Sequence, residues 1–178
     1  MKVLLIGSGG REHALARALK QDPALTELHI APGNPGMAPL GTLHASDSSN
    51  ESILALAQTL NADLVVIGPE LPLVNGVADL LREENIPCFG PSQYAAQLEG
   101  SKEFAKQVMN AAGVPTAQSF CCTNADEVAK ALDTFGAPYV VKHDGLAAGK
   151  GVVVTNDREA ALAHASLSHS VVVEEYLD

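Results

Sequence analysis

The feature that most constrains the fold is a series of short apolar runs, each followed by a polar loop and then by helical spacing. Four runs lie in the first ninety residues, at 3–6, 28–31, 64–67 and 87–89. Runs this short, without polar alternation, are typical of strands that are buried on both faces. Strands that alternate with helices predict a parallel, doubly wound α/β sheet. The predicted helices between them are 11–20, a helix capped by Ser49 or Asn50 and running to residue 60, and 75–84.

The pattern changes after Gly90-Pro91, which predicts a second domain. We place the boundary between about residues 92 and 115, and take 1–100 and 101–178 as the two domains. The apolar spacing beyond Gly90 predicts helices at 92–98, 101–112, 124–135 and 157–165, and strands at 117–122, 139–141, 152–154 and 171–174.

Composition excludes several classes of partner. The formal net charge is −10 without a basic cluster, which argues against nucleic acid and anionic membrane as main partners. No apolar run approaches the roughly 20 residues that span a bilayer. The three cysteines lack metal-ligand spacing, and Met1 leads directly into a strand, so we expect a cytoplasmic protein without a signal peptide.

The first glycine cluster, Gly7-x-Gly9-Gly10-Arg11-Glu12, follows a predicted strand and opens a helix. Unpaired N–H groups and the helix dipole favour an anion there, so the cluster predicts a phosphate site. A dinucleotide site is disfavoured, because Glu12 stands where the third glycine of that motif belongs and the second strand ends in Ala31-Pro32-Gly33. A tight turn without a ligand is the alternative.

Two further loops follow the second and third strands, Gly33-Asn34-x-Gly36 and Gly68-Pro69-Glu70. The carboxyl ends of parallel strands line one crevice, where ligands usually bind. Asn34 suits sugar hydroxyls, and Glu70 suits a ribose or an amine. Turn formation alone also explains each loop taken singly.

Residues 142–151 join two predicted strands with three glycines, two alanines and two lysines. Small residues let the backbone approach a ligand, and the lysines add cationic donors, so we predict a flap over a polyphosphate. Lys142 lies on an apolar strand and needs an anionic partner. We interpret Lys106 as a solvated surface charge and His143 as a bystander. The end, residues 174–177, is either an edge strand entering solvent or a hinge that pairs with a purine.

Together these residues resemble the phosphoribosylamine–glycine ligase family of the ATP-grasp superfamily. The Gly-Gly-Arg-Glu-His-Ala and Gly-Pro-Glu-x-Pro-Leu-Val stretches are specific to that family, whereas the flap matches ATP-grasp enzymes in general. The matching stretches are 3–16, 31–36, 68–76, 89–91, 97–102 and 142–152.

The resemblance implies a parallel pre-ATP-grasp domain followed by the first, partial lobe of an ATP-grasp domain. It implies ligation of glycine to 5-phosphoribosylamine with ATP and magnesium in purine synthesis, through a glycyl phosphate. The implied ATP-binding residues are Lys102, Lys142, Gly145, Gly149, Lys150, Gly151, Glu174, Glu175 and Leu177. The implied phosphoribosylamine-binding residues are Gly9, Gly10, Arg11, Asn34, Gly36, Pro69 and Glu70.

The chain departs from the family pattern at three points. His143 stands where alanine is usual, the 157–171 stretch is short, and family members are more than twice this length. The resemblance places the magnesium ligands and the remaining glycine and ATP contacts outside this chain. We therefore expect the 178-residue chain alone to be inactive and to bind ATP weakly, with the phosphoribosylamine crevice as its best-formed site. A non-catalytic phosphosugar- or nucleotide-binding module and another ATP-grasp ligase are the alternatives.

Overall fold

The computed structural model describes residues 1–147 and 149–178. Ala148, which belongs to the predicted flap, lies outside the described residues. The chain forms two compact units, Met1–Ala96 and Gln97–Asp178. Within the described residues, each helix is too short or too polar to cross a bilayer.

Unit 1 (Met1–Ala96) contains a five-stranded parallel sheet in the order β3-β2-β1-β4-β5. This confirms the predicted parallel α/β class. Its strands are β1 (Lys2–Gly7), β2 (Glu27–Pro32), β3 (Thr42–Leu43), β4 (Leu64–Ile67) and β5 (Cys88–Phe89). Its helices are α1 (Gly10–Leu19), α2 (Asn50–Leu60), α3 (Glu70–Val74) and α4 (Val77–Glu83), with a 3₁₀ turn at Pro35–Met37.

The core of unit 1 lies on both faces of the sheet, because alternate residues of β1 point to opposite sides. Leu4 and Ile6 pack with α2 and α4 residues, whereas Val3 and Leu5 pack with residues of α1 and β2. The central strand β1 pairs with β2 on one side and β4 on the other. The chain order therefore reverses beside β1, where doubly wound sheets bind ligands.

Two elements of unit 1 differ from the prediction. β3 was not predicted, so the strand predicted as the fourth is the fifth in chain order. The helix predicted at 75–84 begins at Val77, and a separate helix, α3, precedes it at Glu70–Val74. Pro72 is tolerated in α3 because it lies in the first turn, where its missing N–H has no intrahelical partner to lose.

Unit 2 (Gln97–Asp178) contains a four-stranded antiparallel sheet in the order β6-β9-β7-β8. Its strands are β6 (Ser119–Cys122), β7 (Tyr139–His143), β8 (Val152–Thr155) and β9 (Val171–Glu174). Its helices are α6 (Lys102–Ala111), α7 (Ala125–Phe135) and α8 (Arg158–Ala165). Helix α5 (Gln93–Gly100) contains the division between the units.

β9 is an internal strand, paired with β6 on one side and β7 on the other. The edge-strand interpretation of its end is therefore wrong. Val141, Val171 and Val173 form a core with α7 and α8 residues. Because side chains alternate along a strand, Lys142 and Glu174 point to the opposite face.

Candidate functional site

The loops after β1 and β2 are bonded to each other at the carboxyl edge of the unit 1 sheet. The N–H of Gly33 donates to the Gly7 carbonyl at 3.2 Å. The side-chain amide of Asn34 donates to the Ser8 carbonyl at 2.8 Å, and its oxygen accepts from the Gly36 N–H at 2.9 Å. The structure thus brings Asn34 and Gly36 to the loop that carries Gly9 and Gly10.

Arg11 links this loop to the one after β4. Its Nε lies 2.7 Å from Glu12 Oε1, and its Nη1 lies 2.6 Å from Glu70 Oε1. The bond to Glu70, followed by the bond to Glu12, raises the pKa of Arg11. The bond to Arg11 lowers the pKa of Glu70, helped by a backbone N–H at the start of α3, which Pro69 caps. The predicted residues Arg11, Pro69 and Glu70 therefore lie together.

Glu12 is the residue of this cluster that the sequence interpretation did not assign. Its side chain is buried, and its Oε2 accepts from the Gly9 N–H at 2.8 Å. A methyl group at Gly7 or Gly68 would overlap the Cγ of Glu12. The glycines after β1 and β4 therefore make room for a buried carboxylate. The available signal was an acidic residue three positions after the helix cap, which is typical of a capping box.

This arrangement changes the electrostatics expected at the start of α1. The Gly9 N–H that was predicted to face a phosphate faces the Glu12 carboxylate instead. Arg11, Glu12 and Glu70 carry one positive and two negative charges, a net charge of −1. A cluster with this balance favours hydroxyl and amine donors over an anion.

In unit 2, a cavity of about 430 Å³ lies beside α6, β7 and β9. Lys102 and Lys106 enter it from one face of α6, since residues four apart are neighbours on a helix. It is lined by Lys102, Ala105, Lys106, Met109, Thr116, Lys142, Val152 and Glu174. Three positive charges and one negative charge suit a polyanion.

Glu174 is shared between two of these lysines. Its Oε2 lies 2.7 Å from Lys142 Nζ, and its Oε1 lies 3.4 Å from Lys106 Nζ. The anionic partner expected for Lys142 is therefore Glu174.

The interpretation of Lys106 as a solvated charge is wrong. Lys106 is buried, and its Nζ donates to Thr116 Oγ1 and to the Ala117 carbonyl, each at 2.8 Å. The missed signal was its spacing of four from Lys102, which places both side chains on one helix face.

The flap is attached at its base to the start of α6. The Asp144 carboxylate accepts from the Lys102 N–H at 2.6 Å and from Ser101 Oγ at 3.1 Å. Lys102 Nζ donates to the Gly145 carbonyl at 2.9 Å. An acidic side chain at a helix N-terminus is favoured by the helix dipole, and Asp144 was not assigned from the sequence.

Glycines are required at several flap positions for different reasons. Gly145 and Gly149 have φ values of +91° and +78°, which disfavour other residues. A Cβ at Gly151 would lie 2.5 Å from the Cβ of Ala147. Lys150 is exposed. The predicted flap glycines thus have backbone requirements of their own, independent of a ligand.

His143 packs against α8. Its ring stacks on that of His164, with centroids 4.1 Å apart and planes at 17°. Its Nε2 also lies 2.9 Å from the His164 carbonyl oxygen. The ring therefore anchors the end of β7 to the helix that follows β8.

The predicted adenine hinge uses several of its groups within the protein. Glu174 is buried in the lysine pairs. The Glu175 N–H donates to the Gln118 carbonyl at 3.0 Å, and Glu175 Oε1 accepts from the Gln118 N–H at 2.7 Å. Leu177 is exposed. A purine contact through the Glu175 N–H would require the first of these bonds to open.

Within residues 1–147 and 149–178, no group of three or more His, Cys, Asp or Glu side chains is arranged to hold a metal ion. The lysine-lined cavity suits phosphate groups, and its carboxylate, Glu174, is paired with Lys106 and Lys142.

Two family models match the chain. The phosphoribosylglycinamide synthetase N domain matches residues 1–99, and the ATP-grasp (A) domain of the same synthetase matches residues 100–178. The phosphoribosylamine–glycine ligase of Streptomyces coelicolor is 64% identical over 100% of this chain and 43% of its own length. The chain thus spans less than half the length of the curated relatives it matches.

Solved structures agree with these matches. A phosphoribosylamine–glycine ligase from Thermotoga maritima superposes with a TM-score of 0.80 at 32% identity, over 100% of this chain and 44% of the other. An N5-carboxyaminoimidazole synthetase from Staphylococcus aureus complexed with ADP superposes with a TM-score of 0.81 at 19% identity, over 99% of this chain and 48% of the other. At this identity, the likeness supports the fold alone.

The sheet topologies and the second family model define residues 100–178 as part of an ATP-grasp fold. The chain belongs to the phosphoribosylglycinamide synthetase family.

Proposed function

We propose that this chain supplies the amino-terminal units of a phosphoribosylamine–glycine ligase, which joins glycine to 5-phosphoribosylamine at the expense of ATP in purine synthesis. The observation that carries the proposal is the 64% identity to such a ligase along the whole chain. The residues of both units give the proposal its chemistry.

In unit 2, Lys102 and Lys142 bind the nucleotide phosphates, and residues 145–151 cover them. The three-lysine cavity supports this role, because charge-assisted bonds to phosphate are strong where water is partly excluded. Lys142 lies on the cavity wall with 29% of its side chain exposed, so it is accessible to a ligand. Gly145, Gly149 and Gly151 give the flap its backbone shape, and Lys150 adds a cation to it. Glu174, Glu175 and Leu177 form the segment that contacts the adenine, the last two through their backbone.

In unit 1, the crevice beside β1 binds the phosphoribosylamine. Its surface comprises Gly9, Gly10, Arg11, Asn34, Gly36, Pro69 and Glu70. Glu70 accepts from ribose hydroxyls or from the amine, since the cluster around Arg11 carries a net negative charge. The sugar and amine therefore face Glu70, and the amine is oriented by hydrogen bonds to it.

The reaction requires that glycine's carboxylate attack the γ-phosphoryl group and displace ADP, giving an acyl phosphate. The amine then attacks the acyl carbon, which forms the amide and releases phosphate and a proton. Magnesium neutralises phosphate charge in such transfers. The residues of the two units position the substrates and neutralise the charge of the phosphates.

A hybrid protein tests the proposal. Residues 1–178 replace the matching part of the Streptomyces coelicolor ligase, and the hybrid is assayed for glycinamide ribonucleotide formation and for growth of a purine-requiring strain that lacks the ligase. We expect activity and growth. The same hybrid with Lys142→Met serves as the control, because we expect its KM for ATP to be raised.

Two outcomes would contradict the proposal. A folded hybrid that releases ADP with another carboxylic acid but not with glycine would indicate a different ATP-grasp ligase. A folded hybrid without ADP release, in which the chain still binds glycinamide ribonucleotide, would indicate a non-catalytic binding module.

A further inference from the structure

Glu174 holds two lysines that differ in their freedom to move. The side chain of Lys142 is 29% exposed, whereas that of Lys106 is 9% exposed. Lys106 is also held by Thr116 and by the Ala117 carbonyl. Turning Lys106 away would leave buried oxygens without a donor, but Lys142 turns toward the cavity without that loss.

The Glu174 side chain is only 8% exposed. A carboxylate at this depth is strongly disfavoured when its counter-ion is removed. If Lys142 were its sole partner, Glu174 would keep Lys142 from any incoming anion. A second, fixed cation removes this conflict.

We propose that Lys106 is a positioning residue that keeps Glu174 neutralised while Lys142 turns from Glu174 to the phosphates of a nucleotide. This inference rests on the function proposed above. Lys106 acts through Glu174 and does not itself need to touch the ligand. Its role is to make Lys142 available.

Acylation of the lysines in the 178-residue chain tests this directly. The chain is treated briefly with an N-hydroxysuccinimide acetate, and the extent of acetylation at each lysine is measured by mass spectrometry. In the unsubstituted chain we expect Lys142 to react about tenfold faster than Lys106, because Lys106 is buried and held by three partners. Equal rates would overturn the proposal, and this comparison requires no variant.

Variants test the coupling. Lys106→Met leaves Lys142 as the partner of Glu174, so Lys142 acetylation slows by about fivefold. Lys106→Arg retains the charge and restores the rate. In a Glu174→Gln background, Lys106→Met changes the Lys142 rate by less than about twofold, since the shared carboxylate is gone. An equal slowing in that background would show that Lys106 does not act through Glu174.

Steady-state kinetics of the hybrid ligase give the functional result. Lys106→Met raises KM for ATP by about fivefold and changes kcat by less than about twofold, and Lys106→Arg recovers KM. An unchanged KM in a folded Lys106→Met hybrid would overturn the role in nucleotide binding. An inactive unsubstituted hybrid would contradict the proposed ligase function instead, while the acetylation rates would still decide whether Lys106 controls Lys142.

Discussion

In unit 1, one arginine lies between two carboxylates, whereas in unit 2 two of the three cavity lysines share one carboxylate. Both clusters lie beside strands, and each includes a buried glutamate, Glu12 in unit 1 and Glu174 in unit 2. The first group suits donors such as hydroxyls and amines, and the second suits a polyanion. The comparison shows that two buried glutamates lie in clusters of opposite net charge, negative in unit 1 and positive in unit 2.

The buried glutamates also differ in what they fix. Glu12 is enclosed by glycines and accepts a bond from Arg11 Nε. Glu174 holds one buried lysine, Lys106, and one partly exposed lysine, Lys142, which we propose turns toward the cavity. We therefore expect substitutions in unit 1 to affect mainly stability, and substitutions in unit 2 to affect mainly ligand affinity.

The largest effect is expected for Lys142→Met in the hybrid ligase. The loss of a charge-assisted bond to phosphate is worth about 1.5–3 kcal/mol, so KM for ATP rises by about 10- to 100-fold. Lys130→Met is the matched control, because Lys130 is an exposed lysine on α7 outside the cavity. Similar KM values for the two variants would show that Lys142 does not bind the nucleotide phosphates, and unit 2 would lose its proposed polyanion site.

Next in size is the effect of Gly68→Ala on stability. The added methyl group would overlap the buried Glu12 side chain, and overpacking of this kind costs about 1–3 kcal/mol. Gly10→Ala is the control, since a Cβ there has no neighbour within 4 Å and alanine favours the helix. Urea unfolding of the 178-residue chain measures both, and equal losses would contradict the packing of Glu12 against Gly68.

A smaller difference is expected between Arg11→Gln and Glu70→Gln. Arg11→Gln removes the guanidinium partner of the buried Glu12 carboxylate, which we expect to cost about 1–2 kcal/mol of the free energy of unfolding. Glu70→Gln removes an exposed pair, worth about 0–1 kcal/mol. The same urea assay checks the order, and a larger loss for Glu70→Gln would show that Glu12 is not the anchor.

The smallest effect concerns pH and a histidine pair in unit 1. His29 Nδ1 lies 2.9 Å from His44 Nε2, and His29 Nε2 lies 3.2 Å from Glu27 Oε2. Burial, followed by the charge of His29, lowers the pKa of His44 below its ordinary value of 6.5. As the pH falls below about 6.5, His44 is protonated in the unfolded chain before it is protonated in the folded chain. The free energy of unfolding therefore decreases until the pH reaches the pKa of His44 in the folded chain. Above pH 6.5, His44 has no effect on the free energy of unfolding.

Unfolding midpoints in urea at pH 7.5 and 5.5 check this prediction, with His44→Gln as the comparison. The decrease should be smaller in the variant. The pKa of Glu27 is also lowered, chiefly by its bond to His29, but its contribution is lost below about 4.5 and does not enter this window. A decrease of the same size in His44→Gln would rule out His44 as its source.

Local patterns in the sequence were sufficient for much of the fold. Strands 64–67 and 171–174 were predicted with the bounds that the structure has, because the first is a continuous apolar run and the second is three valines that end at Glu174. Ser49, one of the two caps predicted for α2, accepts a bond from the first turn of that helix, and Asn124 does the same for α7. β3 was missed because two residues carry no periodicity.

The site was less predictable because its charges are balanced by residues distant in sequence. Lys142 and Glu174 are adjacent only because β9 inserts between β6 and β7. Lys106 was interpreted as exposed because its partners, Thr116 and Glu174, come from a loop and a strand. Glu12 was seen only as an interruption of a glycine motif, and its contact with the loop after β4 depends on the parallel pairing of β1 with β4. The roles of the proposed ligand-binding residues remain predictions.

The packing of Glu12 against glycines also has an evolutionary consequence. A lineage that first gains a side chain at position 68 meets a clash with Glu12, and this step is disfavoured. A lineage that first shortens the residue at position 12 loses a buried carboxylate, but it then becomes free to vary positions 7 and 68. Mutation of Glu12 is therefore expected to precede mutation of Gly7 and Gly68. As long as Glu12 is kept, positions 7, 12 and 68 are inherited as one set.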